Sequence, residues 1–418
     1  MAPEFNLLAI SLMILLLLLW KLDFIATILT LKHLRPELPE EFKGVWDAEK
    51  YAKSQNYEKV QSRFGITSSI TSLTVLIVFW IMGGFGWLDE LVRSWEYGEI
   101  TTGICFFALM FAGTWLMSVP FEIYHTFVIE ERFGFNKVTP KLFITDQVKS
   151  LGLTACLGIP ILALLLWIFN NVDHAWFFAW ISLTLISLAL TYIAPSVFLP
   201  IFNKFEPLED GELNQAIQAM AEKCQYPLSG VFVMDGSKRS TKSNAFFVGF
   251  GKRKKIALYD TLIEGQSTKE LVAVLAHEIG HFKKKHIVKL HAILVIKMAI
   301  IFYLLGLATD PDTAFGSQLY AAFGVSSGAI YVGLVLFMIV FKPVSRVLSV
   351  FMNILSRKHE FEADAYAANV QDTSEHLITA LKKLSVNNLS NLTPHPLEIF
   401  LHASHPPLLT RINALKAL

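Results

Sequence analysis

Seven stretches of this chain are apolar for long enough to cross a lipid bilayer, and that restricts its backbone more than anything else in the sequence. Hydrocarbon offers no water to an exposed N–H or C=O, so such a stretch is built as an α-helix of about 20 residues. The first run begins at Asn6 and continues past Lys21 and Asp23 to Leu31. The others lie at 67–88, 99–120, 150–170, 174–201, 286–306 and 327–355. No basic segment precedes the first run and no small-residue cleavage site follows it, so it reads as a retained anchor. Pro195 and Pro200 predict a kink or a stop near the end of the fifth. Composition agrees: 53% of residues are hydrophobic and 17% charged, against about a quarter charged in soluble domains. A net charge of +1 gives no bulk attraction to nucleic acid, and none is expected as a partner. Cys105, Cys156 and Cys224 form no CxxC pair or disulfide framework and are expected to pack as small hydrophobes.

The basic residues orient the spans. Segments 32–66, 121–149 and 202–285 and the C-terminal tail carry most of the Lys and Arg outside the apolar runs. Segment 89–98 holds only Arg93, and 171–173 and 307–326 hold none. By the positive-inside rule the N-terminus lies outside and the C-terminus in the cytosol. The run Lys252, Arg253, Lys254, Lys255 reads as a solvated face near anionic lipid. The expected fold is mainly α: a polytopic membrane protein of about seven helices enclosing a cavity, with a cytosolic domain containing a small β-hairpin or sheet. Four regions follow: 1–201 with five spans, 202–285 cytosolic, 286–355 with spans six and seven, and 356–418 cytosolic.

Region 202–285 contains His277-Glu278-Ile279-Gly280-His281. Histidines four apart share one face of a helix and can ligate one zinc ion, and Glu278 beside them can take a proton from water that the ion activates. Spans six and seven cross and return, so the segment after Ser356 emerges on the same side and can supply a third ligand. There Glu360 and Asp364 are four apart on one face, with Ala363, Ala367 and Ala368 permitting close packing. By spacing, His359, Glu360, Glu362 or Asp364 can serve. With Glu360 as ligand, Asp364 is free to accept the outer N–H of a ligating histidine. Glu362 points off that face and is expected to be a solvated acid. The pattern calls for one zinc ion per chain with an open position.

Several ionisable residues fall within the last two spans. His291 lies fourteen residues after His277, within about 40° of the same face and roughly 21 Å along the axis. Lys297, Lys342 and Arg346 lie at membrane depth, where charges face a protein interior or water. Together they predict a hydrated cavity running from the metal site into the membrane region.

Several stretches resemble one known family. They are the motif at 277–281, the sequence Ser356-Arg357 with Glu360 and Asp364, and the tail Ser404-His405-Pro406-Pro407 with Arg411-Ile412. Segments Ile129–Asn136 and Ser243–Phe250 match as well. Over nearly the whole chain this is similar to the type I CAAX prenyl endopeptidases, the integral-membrane zinc metalloproteases that include the a-factor-converting and prelamin A-processing enzymes. The resemblance implies that Glu360 is the third ligand and Asp364 its supporting partner. It further implies that Glu278 is the general base, that His405 stabilises the oxyanion and that Arg411 anchors that region. It implies, too, that Asn244 and the strand after it, Ala245 and Phe246, bind the substrate backbone as an added strand. Locally, Ala245–Phe250 and Lys255–Tyr259 bracket a turn at 251–254 as a hairpin does. The implied partners are the bilayer and a peptide or protein substrate ending in a prenylated CAAX sequence. A membrane-protein quality-control protease without prenyl specificity is the rival enzyme, and a transporter or channel the rival of another class. Short external connections and the lack of an ER-retrieval tail favour a bacterial inner membrane, with the ER membrane the counterpart in a eukaryotic chain.

Overall fold

The computed structural model describes residues 2–248 and 254–418, and for 246–248 the backbone alone. Among these residues seven helices are long and apolar enough to span a membrane: Leu7–His33, Ala48–Ile81, Glu99–Phe133, Pro140–Asn171, Ala175–Phe202, His286–Thr309 and Ile330–Gln371. Several extend past the apolar run that predicts them, because polar turns with good caps prolong the helix. The second starts at Asp47, whose carboxylate accepts the Lys50 N–H at 2.6 Å. The fourth starts at Thr139, whose hydroxyl accepts the Leu142 N–H, with Pro140 as its first residue. The third winds as a π-helix over His125–Glu130 before Gly134, at φ +80°, ends it. The fifth breaks at Phe198, just past Pro195, as the prolines predict. At 42 residues the seventh is about 63 Å long, twice the thickness of a hydrocarbon core. No break occurs at Ser356; the helix runs on and carries Glu360 and Asp364 beyond the apolar run.

The connections sort into two ends, as the charge pattern predicts. At one end Glu4 N–H bonds to Ala321 O, Asn6 to Gln318 O and Trp80 to Ala322 O, and Tyr331 OH donates to Asp89. At the other, Lys382 pairs with Glu41 at 2.6 Å, Trp46 donates to Ser385, and Arg239 grips Asp146 through two bonds of 2.8 and 2.9 Å. Each end has its own apolar core. Between them the bundle is hollow: cavities of about 870 and 980 Å³ open among the spans, both lined by Ser72 and Leu76. Of the cysteines, Cys224 is buried in the core of the basic end, Cys105 is half-buried and Cys156 is exposed on the fourth span.

Past the fifth span the chain builds a four-stranded sheet from β1 (Phe205–Pro207), β2 (Leu228–Met234), β3 (Ala245–Val248) and β4 (Lys254–Tyr259). Their order is β1-β2-β4-β3, so β3 is an edge strand, antiparallel to β4 with Ala245 opposite Leu258. The expected hairpin strands are thus present. Its turn falls outside the described residues except for Lys254, which already belongs to β4.

The helix Thr268–Lys283, which carries the motif, starts at a capping box. Ser267 Oγ accepts the Glu270 N–H, and Glu270 accepts the Ser267 N–H at 2.7 Å. Lys383 also donates to Glu270, at 2.8 Å. Burial opposes the ionised carboxyl, but Lys383 and Ser267 hold it below its ordinary range. A depressed carboxyl stabilises the fold above its unfolded value, and the contribution is lost as pH falls through the folded one. Glu270→Gln should therefore cost about 1 kcal/mol at neutral pH and little in acid, so melting curves of the two proteins should converge as pH is lowered.

Candidate active site

The site exists because two helices cross at small residues. Gly280 of the motif helix meets Ala363 of the seventh helix so closely that a methyl on Gly280 would stand 3.1 Å from Ala363 Cα and O. Ala363, Ala367 and Ala368 are all buried there, as their small size predicts. The crossing faces His277 and His281 towards Glu360. His277 Nε2 lies 3.2 Å from His281 Nε2, His281 Nε2 3.3 Å from Glu360 Oε1, and His277 Nε2 3.6 Å from Glu360 Oε2. Two ligands about 2.05 Å from a tetrahedral zinc stand roughly 3.3 Å apart, so this triangle is the size such an ion requires. Glu360 Oε2 is buried and makes no hydrogen bond, and the cation that offsets its burial is the Arg411 guanidinium, 3.3 Å away. Of the four third-ligand candidates, Glu360 is the one whose oxygens meet both histidines.

The groups behind the triangle are held in turn. His277 Nδ1 is 2.8 Å from Asp364 Oδ1. Arg411 is buried and donates to both Asp364 oxygens, at 2.8 and 2.6 Å, while its Nη1 lies 3.3 Å from Glu360 Oε2. Burial opposes its charge, and the Asp364 and Glu360 carboxylates outweigh it and raise the guanidinium pKa further. His405 sits in a bend before Pro406 and Pro407 with Nε2 3.5 Å from Glu360 Oε1 and Nδ1 2.9 Å from Ser404 Oγ. A hydroxyl that donates to Nδ1 leaves the proton on Nε2, the nitrogen nearer Glu360. Glu278 is pushed up from the usual carboxylate range, first by burial and then by Glu360, with His277 and His281 opposing. Glu362, expected to be a solvated acid, keeps a third of its side chain exposed but has a partner: its Oε2 lies 3.0 Å from His286 Nε2.

Asn244 and Ala245 line the same cavity of about 190 Å³ as His277, Glu278, Glu360 and His405. The open edge of β3 therefore runs beside the carboxylate–imidazole cluster. Phe246 follows on β3, paired with Ala257, and its backbone is what the structure describes. Sequence reasoning missed the clamps that hold this strand. Asn388 bonds both backbone groups of Ser243, accepting its N–H at 3.0 Å and donating to its C=O at 3.2 Å. Lys242 pairs with Glu130 at 2.7 Å and with Tyr57 OH at 2.8 Å, tying the strand to the second and third spans. The Ile129–Asn136 stretch signalled the second clamp. Nothing near Asn388 signalled the first.

Comparison with known proteins identifies the family. Residues 27–204 match the family described as CAAX prenyl protease N-terminal, five membrane helices, and residues 207–418 match peptidase family M48. The chain is 37% identical to CAAX prenyl protease 1 of Saccharomyces cerevisiae, over 91% of this chain and 88% of that one. It is 34% identical to the human CAAX prenyl protease 1 homolog, over 93% and 90%. The crystal structure of S. mikatae Ste24p superposes with a TM-score of 0.90 at 34% identity, covering 99% of this chain and 100% of the other. The chain belongs to peptidase family M48. It is an integral-membrane metalloendopeptidase that acts on peptides or proteins and uses a metal cofactor. Transport and channel functions are thereby set aside.

The intramembrane charges of this M48 peptidase divide. Lys342 and Arg346 line the cavity of about 980 Å³. Arg346 pairs there with Asp23 of the first span and donates to His402. His291 and Lys297 line neither large cavity; His291 Nδ1 bonds back to Ile287 O at 2.8 Å. Periodicity gave His291 its direction, but one of its ring nitrogens turns back to its own helix backbone.

Two substitutions test the architecture of the M48 site. Ala is a better helix former than Gly by about 1 kcal/mol, yet Gly280→Ala should lower the melting temperature, because the added methyl meets backbone. Arg411→Met should cost about 3–5 kcal/mol in unfolding assays, since it strands the buried Asp364 and Glu360 carboxylates.

Proposed function

We propose that this peptidase is a zinc enzyme that removes the C-terminal tripeptide from prenylated CAAX proteins or peptides at the cytosolic face of its membrane. The reading rests above all on the triangle of two imidazole nitrogens and one carboxylate, with sides of 3.2–3.6 Å, in a cavity shared with Glu278 and an edge strand. His277, His281 and Glu360 would hold one zinc ion per chain. Zinc there supplies Lewis acidity, lowering the pKa of water and polarising a carbonyl. The remaining work is done by side chains and backbone.

The substrate adds as a strand to the free edge of β3, its backbone bonded along Asn244, Ala245 and Phe246, which aligns the scissile bond with the triangle. Glu278 takes a proton from the attacking water and returns it to the leaving amine. Its raised pKa makes it a stronger base than an exposed carboxylate. His405 donates from Nε2 to the oxyanion that develops on the scissile carbonyl. Asp364 accepts from His277 Nδ1 and fixes its tautomer, and Arg411 balances the Asp364 charge.

The relatives named CAAX prenyl protease support a prenylated CAAX substrate. The largely apolar cavities beneath the site support it too, offering room for an isoprenoid chain. The positive-inside rule supports an outside N-terminus and a cytosolic C-terminus. Short external connections support a bacterial inner membrane, with the ER membrane as the eukaryotic counterpart. Nucleic acid has no part in this reading.

Glu278→Gln should retain zinc and lose turnover by several orders of magnitude, and His405→Ala should lower kcat by about 10²–10³. Near-normal cleavage by the Gln variant would remove Glu278 as the base. Purified protein should cleave a farnesylated CAAX peptide faster than its unfarnesylated twin, and a chelator should abolish both. Equal rates for the two peptides would replace prenyl selectivity with a quality-control role.

A further inference from the structure

We propose that Glu362 and His286 form a relay that fixes the tautomer of His281, giving the second imidazole of the site a carboxylate behind it, as Asp364 stands behind the first. The inference rests on the reading of His281 as a metal ligand. Glu362 Oε2 lies 3.0 Å from His286 Nε2, and His286 Nδ1 lies 3.0 Å from His281 Nδ1. An ionised carboxylate only accepts, so His286 Nε2 carries the proton it shares with Glu362. A neutral imidazole then has its lone pair on Nδ1, which accepts from His281 Nδ1–H. His281 Nε2 is left without a hydrogen, and it is this atom that faces His277 Nε2 and Glu360 Oε1. Reversing the second bond would put a hydrogen on His281 Nε2 and aim it into the space where a ligand lone pair is needed.

The middle ring is fixed well enough for this task. His286 is 1% exposed and stacks on His359 with ring centres 3.9 Å apart and planes 8° from parallel. It is the first residue of the sixth span, just after Lys285 at φ +57° turns the chain out of the motif helix. The seventh helix thus supplies three acids with three tasks: Glu360 at the triangle, Asp364 behind His277 directly, and Glu362 behind His281 through one intervening ring. His286 and Glu362 are positioning residues, since neither reaches the triangle itself.

The test compares full-length variants by their zinc dissociation constants, measured by chelator competition, and by the cobalt(II) absorption spectrum, which reports ligand geometry. His286→Asn keeps an amide oxygen that accepts from His281 Nδ1–H. His286→Phe keeps a flat ring against His359 but has no acceptor. The relay predicts that the Phe variant binds zinc about 10–100-fold more weakly, with an altered cobalt spectrum, and that the Asn variant stays within a few-fold of the unsubstituted protein. A packing role predicts the opposite order. Wild-type affinity in His286→Phe, or an equal loss in His286→Asn, overturns the relay. Glu362→Ala, at a partly exposed position, is the second arm: several-fold weaker zinc binding supports the relay, and unchanged binding refutes it. His281→Ala separates this proposal from the one beneath it. If that variant binds zinc normally, the ligand assignment itself fails; if it loses zinc while His286→Phe does not, the relay alone fails.

Discussion

The contact between Gly280 and Ala363 sets the distance on which the whole site depends. Side chains of ordinary size at that crossing would hold the two helices 8–10 Å apart, and the Glu360 oxygens would withdraw from His277 and His281. With a hydrogen on one side and a methyl on the other, the imidazole nitrogens and the carboxylate come within 3.2–3.6 Å of one another. Three groups with lone pairs converging in a buried space repel one another, so the helices must be held together from outside the triangle. Leu271, Leu275 and Ile279 of the motif helix do this by packing into the apolar core of the basic end. The crossing is therefore a packing solution to an electrostatic problem.

Charge balance points the same way. Glu278, Glu360 and Asp364 crowd one small volume, and the guanidinium of Arg411 answers one of these charges. Counted as ionised, they leave an excess of two negative charges, which a divalent cation would offset. Arg411 suits the buried position better than a lysine, since its planar fork meets both Asp364 oxygens while a third nitrogen reaches towards Glu360. The acids stay apart in function because their surroundings differ. Asp364 takes two bonds from Arg411 and faces His277 Nδ1 at 2.8 Å, Glu360 meets the same guanidinium at 3.3 Å, and Glu278 has burial working against its charge.

What the sequence revealed and what it hid divide along a physical line. The spans were legible because lipid forces every long apolar run into a helix, and the two ends of the bundle because Lys and Arg avoid one of them. The pair His277 and His281 was legible because a period of four on a helix is a local fact, and the parity of two membrane crossings brought the segment after Ser356 to the same side. Spacing left His359, Glu360, Glu362 and Asp364 open there, and the family resemblance singled out Glu360. The continuity of the seventh helix through Ser356 was not, since the apolar pattern stops there while helix-forming residues carry on to Gln371. Glu362 looked solvated because its partner, His286, begins another span. The Asn388 clamp on Ser243 joins residues 145 apart in the chain. Polar contacts at that separation leave no periodic trace.

The uninterrupted seventh helix also joins the site to the hollow below it. Arg346, which lines the larger cavity, lies fourteen residues before Glu360 on the same rigid element, roughly 21 Å down the axis and within about 40° of its face. The Asp23 carboxylate and the His402 ring hold Arg346 from the first span and from the C-terminal region. On the other side, Glu130 and Asp146 hold Lys242 and Arg239, and with them the approach to β3. The two walls of the site, the helix that carries Glu360 and the edge strand, are thus each pinned to membrane spans by buried or half-buried ion pairs. A soluble protease can leave such elements on loops. Here the spans themselves pin both walls of the cleft, so the membrane domain sets its width.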